Sequence, residues 1–393
     1  MYQATRHFVL RPEPWDEATA HAAIRDIAAD ALAAFDPNRF WPAHPMDDGI
    51  EDGHTSLYLG AAGTIWALDY LRTCGAIEYD RDFRPILPEL LARNRAEYAQ
   101  FPYPAHGSLL FSDAVVLLLT VRLAPEPQIV DALFDRIKPN LTLPILELMW
   151  GMPGTMVACV FMAEMTGEER WREYYQAQAR RLLAELQETE HGPLWTGELY
   201  GQPSHYLGPV HGYAGNMLAL IRGWQWLDSA QQDCVADAIV RTLAATARRS
   251  EIGVNWPAQA TDNEPDLVQY CHGAPGIVTA LADLPRRSEE FDALMRAGGE
   301  LVWRAGPLTK GSNLCHGTGG NGYAFLKLYQ RFGDPIWLER ARAFAMTAIT
   351  QCRAARIAHG MSRYSLWTGD PGLAVYLWDC ITAEPRFPTT EVF

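Results

Sequence analysis

Gly151-Met-Pro-Gly-Thr-Met-Val-Ala-Cys-Val-Phe-Met162 opens on a G-x-x-G pattern and continues as an unbroken apolar run. A helix that is apolar on every side has to be buried on every side. The same pattern recurs as Gly60-Ala-Ala-Gly63, Gly212-Tyr-Ala-Gly215, Gly273-Ala-Pro-Gly276, Gly317-Thr-Gly-Gly320 and Gly369-Asp-Pro-Gly372. A degenerate copy, Ser112-Asp-Ala-Val115, has lost both glycines but keeps the apolar run through Val121. The copies from Gly60 to Gly369 are spaced by about 50 residues on average, a period typical of supersecondary repeats.

Between the motifs lie amphipathic segments rich in Arg, Glu and Ala: Trp171–Gln187, Gln231–Arg249 and Pro335–Arg356, with a first one at Asp16–Phe35. These read as helices with one wet face. Each unit is therefore an outer amphipathic helix, a loop and an inner apolar helix. Glycine at the inner-helix entrance supplies small size where helices crowd, and unusual backbone angles. Strand signals are sparse, so the chain is expected to be all-α. Seven such pairs closing on themselves bury every inner helix, which predicts an (α/α) toroid of seven inner and seven outer helices. An open solenoid is the competing architecture, but the atypical capping repeats it needs are not apparent. The loop-rich stretches Phe101–Pro104, Gly192–Pro209 and Asn255–Pro265 fall within units, so residues 1–393 are read as one domain.

The composition allows a large core: 48% of residues are hydrophobic and 20% charged. A net charge of −14 argues against nucleic acid and anionic lipid as partners. No apolar run reaches the length of a membrane span. Seven cysteines, an odd and low number with no signal-peptide pattern ahead of them, point to free thiols in a reducing cytoplasm.

The loops entering the inner helices carry most of the reactive side chains, and a true repeat brings them to one mouth. Glu147 precedes Gly151, His211 precedes Gly212, Cys271-His272 precede Gly273 and Cys315-His316 precede Gly317. Two Cys-His pairs in corresponding positions offer the ligand types that Zn²⁺ takes in tetrahedral sites. A helix N-terminus also favours thiolate. The 44-position separation of Cys271 and Cys315 is not that of a zinc finger. On spacing alone, buried packing cysteines beside helix-capping histidines remain an equal account. His106, out of phase before Gly107, reads as structural.

Tyr270-Cys-His-Gly-Ala-Pro-Gly276 and Leu314-Cys-His-Gly-Thr-Gly-Gly-Asn-Gly-Tyr-Ala-Phe-Leu-Lys-Leu-Tyr329 resemble the two signature segments of the lanthionine synthetase C-like family. Tyr364-Ser-Leu-Trp-Thr-Gly-Asp-Pro-Gly372 and Arg386-Phe-Pro extend the resemblance, which is strongest after Asp266 and loose before Gly60. It is closer to the stand-alone eukaryotic-type members than to the dedicated lantibiotic cyclases. The resemblance implies a double α-barrel with Zn²⁺ held by Cys271, Cys315 and His316, one coordination position being left open as in catalytic sites. It implies addition of a thiol to dehydroalanine or dehydrobutyrine in a peptide or protein, the thiol coming from a peptide cysteine or from glutathione. By the same resemblance His211 is the proton donor, Glu147 an acidic neighbour, and His272 a residue facing the reaction space. From the residues alone His272 could instead close the metal site as a fourth ligand. Lys310, five before Cys315, matches a glutathione-contacting lysine, whereas the family's glutathione-binding arginines match only loosely, through Arg6 and Arg363.

The chain departs from the dedicated cyclases at Leu267, where they carry arginine, and at Tyr270, where they carry tryptophan. Two other functions stay open at the level of sequence. One is a non-catalytic, zinc-stabilised barrel that binds a peptide or protein. The other is a glycosidase using Glu147 and Asp370, which would need two carboxylates facing each other across a cleft.

Overall fold

The structure, a computed structural model, describes residues 1–11, 13–47, 52–99, 107–198, 201–264 and 267–393. His106 and the Phe101–Pro104 loop lie outside the described residues. Among the described residues, fourteen α-helices alternate between two rings. The inner ring is α2 (Ala61–Thr73), α4 (Asp113–Leu123), α6 (Met152–Thr166), α8 (Tyr213–Arg222), α10 (Ala274–Leu281), α12 (Thr318–Phe332) and α14 (Asp370–Thr382). The outer ring is α1 (Glu17–Ala34), α3 (Leu87–Ala99), α5 (Pro127–Ile137), α7 (Glu169–Ala184), α9 (Ser229–Thr246), α11 (Glu289–Ala305) and α13 (Pro335–His359). Each inner helix packs on the next, and α14 packs on α2, so the ring closes. The protein is an all-α (α/α) toroid, as the repeat predicts.

Two features differ from the sequence reading. Six outer helices pack on the inner helix before them: α5 on α4, α7 on α6, α9 on α8, α11 on α10, α13 on α12, and α1 on α14. The first helix thus covers the last inner helix, and the chain fastens the ring by joining its two ends. A salt bridge from Arg356 to Asp30 and a hydrogen bond from the Tyr364 hydroxyl to Asp30 (2.9 Å) secure that seam. Second, the helices predicted to reach Gln187 and Arg249 stop at Ala184 and Thr246. Each is followed by a short antiparallel hairpin, β1 (Gln187–Thr189) with β2 (Gly192–Leu194) and β3 (Arg248–Ser250) with β4 (Gly253–Asn255). Trp195 and Trp256, just after the hairpins, donate their indole N–H to the carbonyls of Leu182 and Leu243 in the preceding outer helices. These hairpins sit between an outer helix and an inner-helix entrance, so they shape the mouth.

The G-x-x-G glycines have a more specific cause than crowding of helices. Each entrance loop folds back onto its own helix. A β-carbon at Gly60, Gly63, Gly212 or Gly215 would lie 1.9–2.1 Å from the carbonyl oxygen six residues earlier. At Gly276 the clash with the Tyr270 carbonyl would be 1.8 Å, and Pro209 of the neighbouring unit would stand 2.7 Å away. Unusual backbone angles are not the general reason, since only Gly273 among the leading glycines has a positive φ, 109°. The degenerate unit begins instead with Ser112, whose side chain accepts from the Ala114 N–H and caps α4.

The bore is filled by the segment after α14. Phe387 stacks on Tyr270 with ring centroids 4.3 Å apart, and Phe393 reaches Trp66 and Phe161. Glu391 pairs with the fully buried ammonium of Lys327 at 2.9 Å, and Asp283 completes that pair of carboxylates. Asp379 on α14 is buried and accepts from the Tyr323 hydroxyl (2.9 Å) and the Arg386 N–H (3.0 Å).

Burial pushes the Asp379 carboxyl up to about 8. A carboxyl raised in the folded state stabilises fully below its unfolded value near 4, and that stabilisation drains away as pH climbs toward 8. Between pH 5 and 7 this costs up to about 1.4 kcal/mol per pH unit. Asp379→Asn keeps a neutral acceptor and should flatten that slope. Urea unfolding of both proteins at pH 5, 6 and 7 checks it, and parallel pH profiles would refute the assignment.

Candidate metal centre and proton donor

Counting back from the first glycine of each unit places equivalent residues in equivalent places. Two residues before it stand Tyr58, Leu110, Met149, Val210, Cys271, Cys315 and Trp367. Their main chains are linked around the mouth. The N–H of Tyr58 donates to Leu110 O (3.1 Å), Met149 to Val210 O (3.3 Å) and Cys271 to Cys315 O (3.1 Å). Cys315 donates to Trp367 O (2.9 Å), and Trp367 donates to Tyr58 O (3.2 Å), across the closure. At the other two steps the Ser108 hydroxyl donates to Met149 O, and Gly208 leaves room for Cys271 O. Cysteines from adjacent units therefore become neighbours although 44 positions separate them in sequence.

The ligand atoms of Cys271, Cys315 and His316 all lie within 4.8 Å of one another, and among the described residues this is the one group with that geometry. Bonds of about 2.3 Å to sulfur and about 2.0 Å to nitrogen set tetrahedral zinc ligands roughly 3.5–4 Å apart, close to this spacing. Both thiols are buried, and His316 is half-buried. The Tyr58 hydroxyl donates to Cys315 Sγ at 2.7 Å, and the Gln269 amide donates to Cys271 Sγ at 3.0 Å. The hydrogen bond with Cys315 holds the Cys271 thiol well below the usual thiol range, with His316 and His272 adding to the effect against burial. The same bond, together with burial, pushes Cys315 well above that range. Unaided, the buried pair keeps one negative charge, since two thiolates repel at this distance. A divalent cation lets both ionise. The donor set, the spacing and the sulfur-directed hydrogen bonds fit zinc.

His272 does not join this group. Its ring lies 5.9 Å from that of Tyr206, which also lies 6.4 Å from the ring of His211. His211 belongs to the unit next to that of Cys271. Its Nδ1 meets Glu147 Oε2 at 3.0 Å, and only 5% of the Glu147 side chain is exposed. Glu147 also accepts from the backbone N–H groups of Trp150 and Met149. In the corresponding position Ser56, Ser108 and Asn313 accept from Leu59, Phe111 and His316 in the same way. Glu147 thus performs the loop-capping task common to the repeat and orients His211 besides. His211 and Glu147 border a cavity of about 620 Å³ that runs out along Trp195, Tyr206 and Arg181.

Lys310 is exposed, and its charge lowers the Cys315 thiol. Arg363 is committed elsewhere, to Asp47 at 2.7 Å. Asp370 accepts from the Arg363 backbone N–H at 3.1 Å and so serves its own loop. The glycosidase reading therefore loses its second carboxylate. Tyr58 and Gln269 were invisible as site residues in the sequence, although aligning the units by their glycines puts Tyr58 in the same column as the cysteines.

A family profile, "Lanthionine synthetase C-like protein", matches residues 115–392. The chain belongs to the lanthionine synthetase C-like family. The zebrafish (Danio rerio) protein "Glutathione S-transferase LANCL1" is 28% identical over 262 residues, which is 63% of this chain and 62% of that one. "LanC-like protein GCL1" of Arabidopsis thaliana is 35% identical over 200 residues, 48% of this chain and 44% of that one. The chain thus spans less than two thirds of the length of these curated relatives. The solved structure of nisin cyclase superposes with a TM-score of 0.61 at 14% identity, covering 93% of this chain and 94% of that one. That likeness bears on the fold of this lanthionine synthetase C-like chain and confirms the toroid. No helix among the described residues is long and apolar enough to cross a membrane.

Elemental analysis of the purified protein should find about one zinc per chain. Cys271→Ala and Cys315→Ala should lower zinc affinity by more than the roughly 10–100-fold typical of altering a ligand's hydrogen-bond partner. His272→Ala should retain the metal, and its loss there would make His272 a fourth ligand.

Proposed function

We propose that the protein joins a thiol to the β-carbon of dehydroalanine or dehydrobutyrine in a peptide or protein, forming a thioether. The observation that carries this reading is the convergence of Cys271, Cys315 and His316, with the His211–Glu147 pair in the entrance loop of the preceding unit. On this reading residues 1–393 work as one double α-barrel. Cys271, Cys315 and His316 would hold Zn²⁺. Three protein ligands are the number found in catalytic zinc sites, and the ion supplies acidification of an incoming thiol.

The reaction needs two further things from the protein. As sulfur bonds to the β-carbon, the π electrons of the double bond move toward the α-carbon, which must then take a proton. His211 is suited to deliver it, because Glu147 binds Nδ1 and so leaves Nε2 as the exchanging nitrogen. Glu147 also holds the ring in place, from a position the loop itself fixes. The cavity along Trp195 and Tyr206 has room for an extended peptide segment with its reactive carbon turned toward His211.

Two thiol sources are compatible with this arrangement, a cysteine of the peptide itself or glutathione. The zebrafish relative's printed name, glutathione S-transferase, supports the second. So does Lys310, an exposed cation whose charge reaches Cys315 and which could meet a glutathione carboxylate.

Incubation with a dehydroalanine peptide and glutathione, followed by mass spectrometry, should give an adduct faster than the protein-free background. A peptide with its own cysteine, tested separately, should show cyclisation if the thiol is internal. His211→Ala should lower kcat by about 100-fold or more at little cost in zinc content. Rates equal to background with both thiol sources would end this reading.

A further inference from the structure

In four of the seven entrance loops, the residue four before the first glycine turns its side chain back to cap its own loop: Ser56, Ser108, Glu147 and Asn313. Gln269 occupies this position in the loop of Cys271 and does something else. There the main chain closes the turn by itself, with Gln269 N donating to His272 O and His272 N donating to Gln269 O, both at 3.1 Å. The side chain is thereby released from capping. It is buried, and it lies between two partners. Its amide nitrogen donates to Cys271 Sγ at 3.0 Å, and its amide oxygen accepts from Arg6 Nη2 at 3.2 Å.

Arg6 comes from the opposite end of the chain and is held there by main-chain bonds. The segment after it runs antiparallel to the stretch that leads toward Lys310 and Cys315. Phe8 N donates to Pro307 O (2.8 Å), and Thr309 N donates to Arg6 O (2.9 Å). His7 Nδ1 meets Gly306 O at 2.9 Å. The guanidinium is thus fixed behind the amide, and its charge polarises the amide N–H that points at sulfur.

We propose that Gln269 is a positioning residue that links Arg6 to the Cys271 sulfur, setting the orientation and electron density of that thiolate in the metal-bound protein. The inference rests on reading the Cys271–Cys315–His316 group as a metal site. A hydrogen bond to a ligand sulfur withdraws charge from it, and outer-shell partners of this kind tune a metal's acidity and affinity. The consequence for function is that a bound thiol is acidified more strongly while Gln269 is in place. Because Arg6 stands behind it, an anionic group that engages Arg6 weakens the withdrawal and makes the sulfur more electron-rich.

Co²⁺ added to the full-length protein reports on this directly, through the sulfur-to-metal charge-transfer band. Gln269→Leu should shift that band to longer wavelength with the metal stoichiometry unchanged, because a sulfur without its hydrogen bond gives up charge more readily. Arg6→Leu, at the edge of the fold, should shift it in the same direction by less. A purely structural role would not move a charge-transfer energy at full metal loading. If both variants superimpose on the wild type, the proposal is wrong. If Gln269→Leu does not fold, Arg6→Leu decides alone, and an unshifted band overturns the link. A wild-type protein that gives no charge-transfer band sinks the metal reading itself, a result distinct from an unshifted one.

Discussion

The entrance loops lean on one another, at five of the seven steps through main-chain hydrogen bonds, and the rest of the molecule is arranged to let them do so. A peptide N–H buried away from water must find an acceptor. Here the residue two before each leading glycine largely finds it in the equivalent residue of the next unit, and the step from Trp367 to Tyr58 ties the last unit to the first. This geometry leaves no room for a β-carbon where each loop doubles back onto its helix, which explains the paired glycines better than helix crowding does. The inner helices are apolar on all sides because the ring holds them between an outer layer and a filled bore.

The same circle determines what chemistry can meet. Side chains in equivalent positions of adjacent units become neighbours, however long the helices between them. Two thiols placed in successive units must therefore approach each other, and a histidine one residue later joins them. His211 occupies in its unit the position that His272 and His316 occupy in theirs, so the proposed proton donor stands one step around the rim from Cys271. Apolar and aromatic residues take most of the remaining positions: Tyr58 stacks on Trp367, and Phe111 on Trp150. Tyr58 links this aromatic layer to the candidate metal site through its hydroxyl, which donates to Cys315 Sγ.

The ring, the count of seven and the family could be read in the chain, because spacing and apolar runs survive as linear patterns. Cys271, Cys315, His316, Glu147 and His211 were legible as reactive residues because each lies at a fixed offset from a glycine, but the choice of metal ligands among them came from the family resemblance. What stayed hidden depends on contacts between distant residues. The pairing of α1 with α14 follows from closure, whereas a linear reading joins the first outer helix to the inner helix that follows it. The two hairpins are three-residue strands, too short to leave an alternating pattern. Lys327 lies in an apolar inner helix, and its burial became intelligible only once Asp283 and the distant Glu391 were seen to compensate its charge. Gln269 could not be singled out at all, because its meaning depends on Arg6, 263 residues away.

Glu147 shows how such a site can be built onto a repeat without loss of stability. A capping residue is already required in that position to satisfy loop N–H groups, and serine or asparagine serves elsewhere. A glutamate caps equally well with its carboxylate, and its second oxygen and longer reach remain available for the imidazole of the next unit. The buried carboxylate is then held by backbone donors whether or not His211 is charged, so the histidine can lose and regain its proton without leaving an unpaired anion behind. Structural duty and chemical duty coincide in one side chain, which is why Glu147 reads as an ordinary loop cap until the neighbouring unit is brought against it.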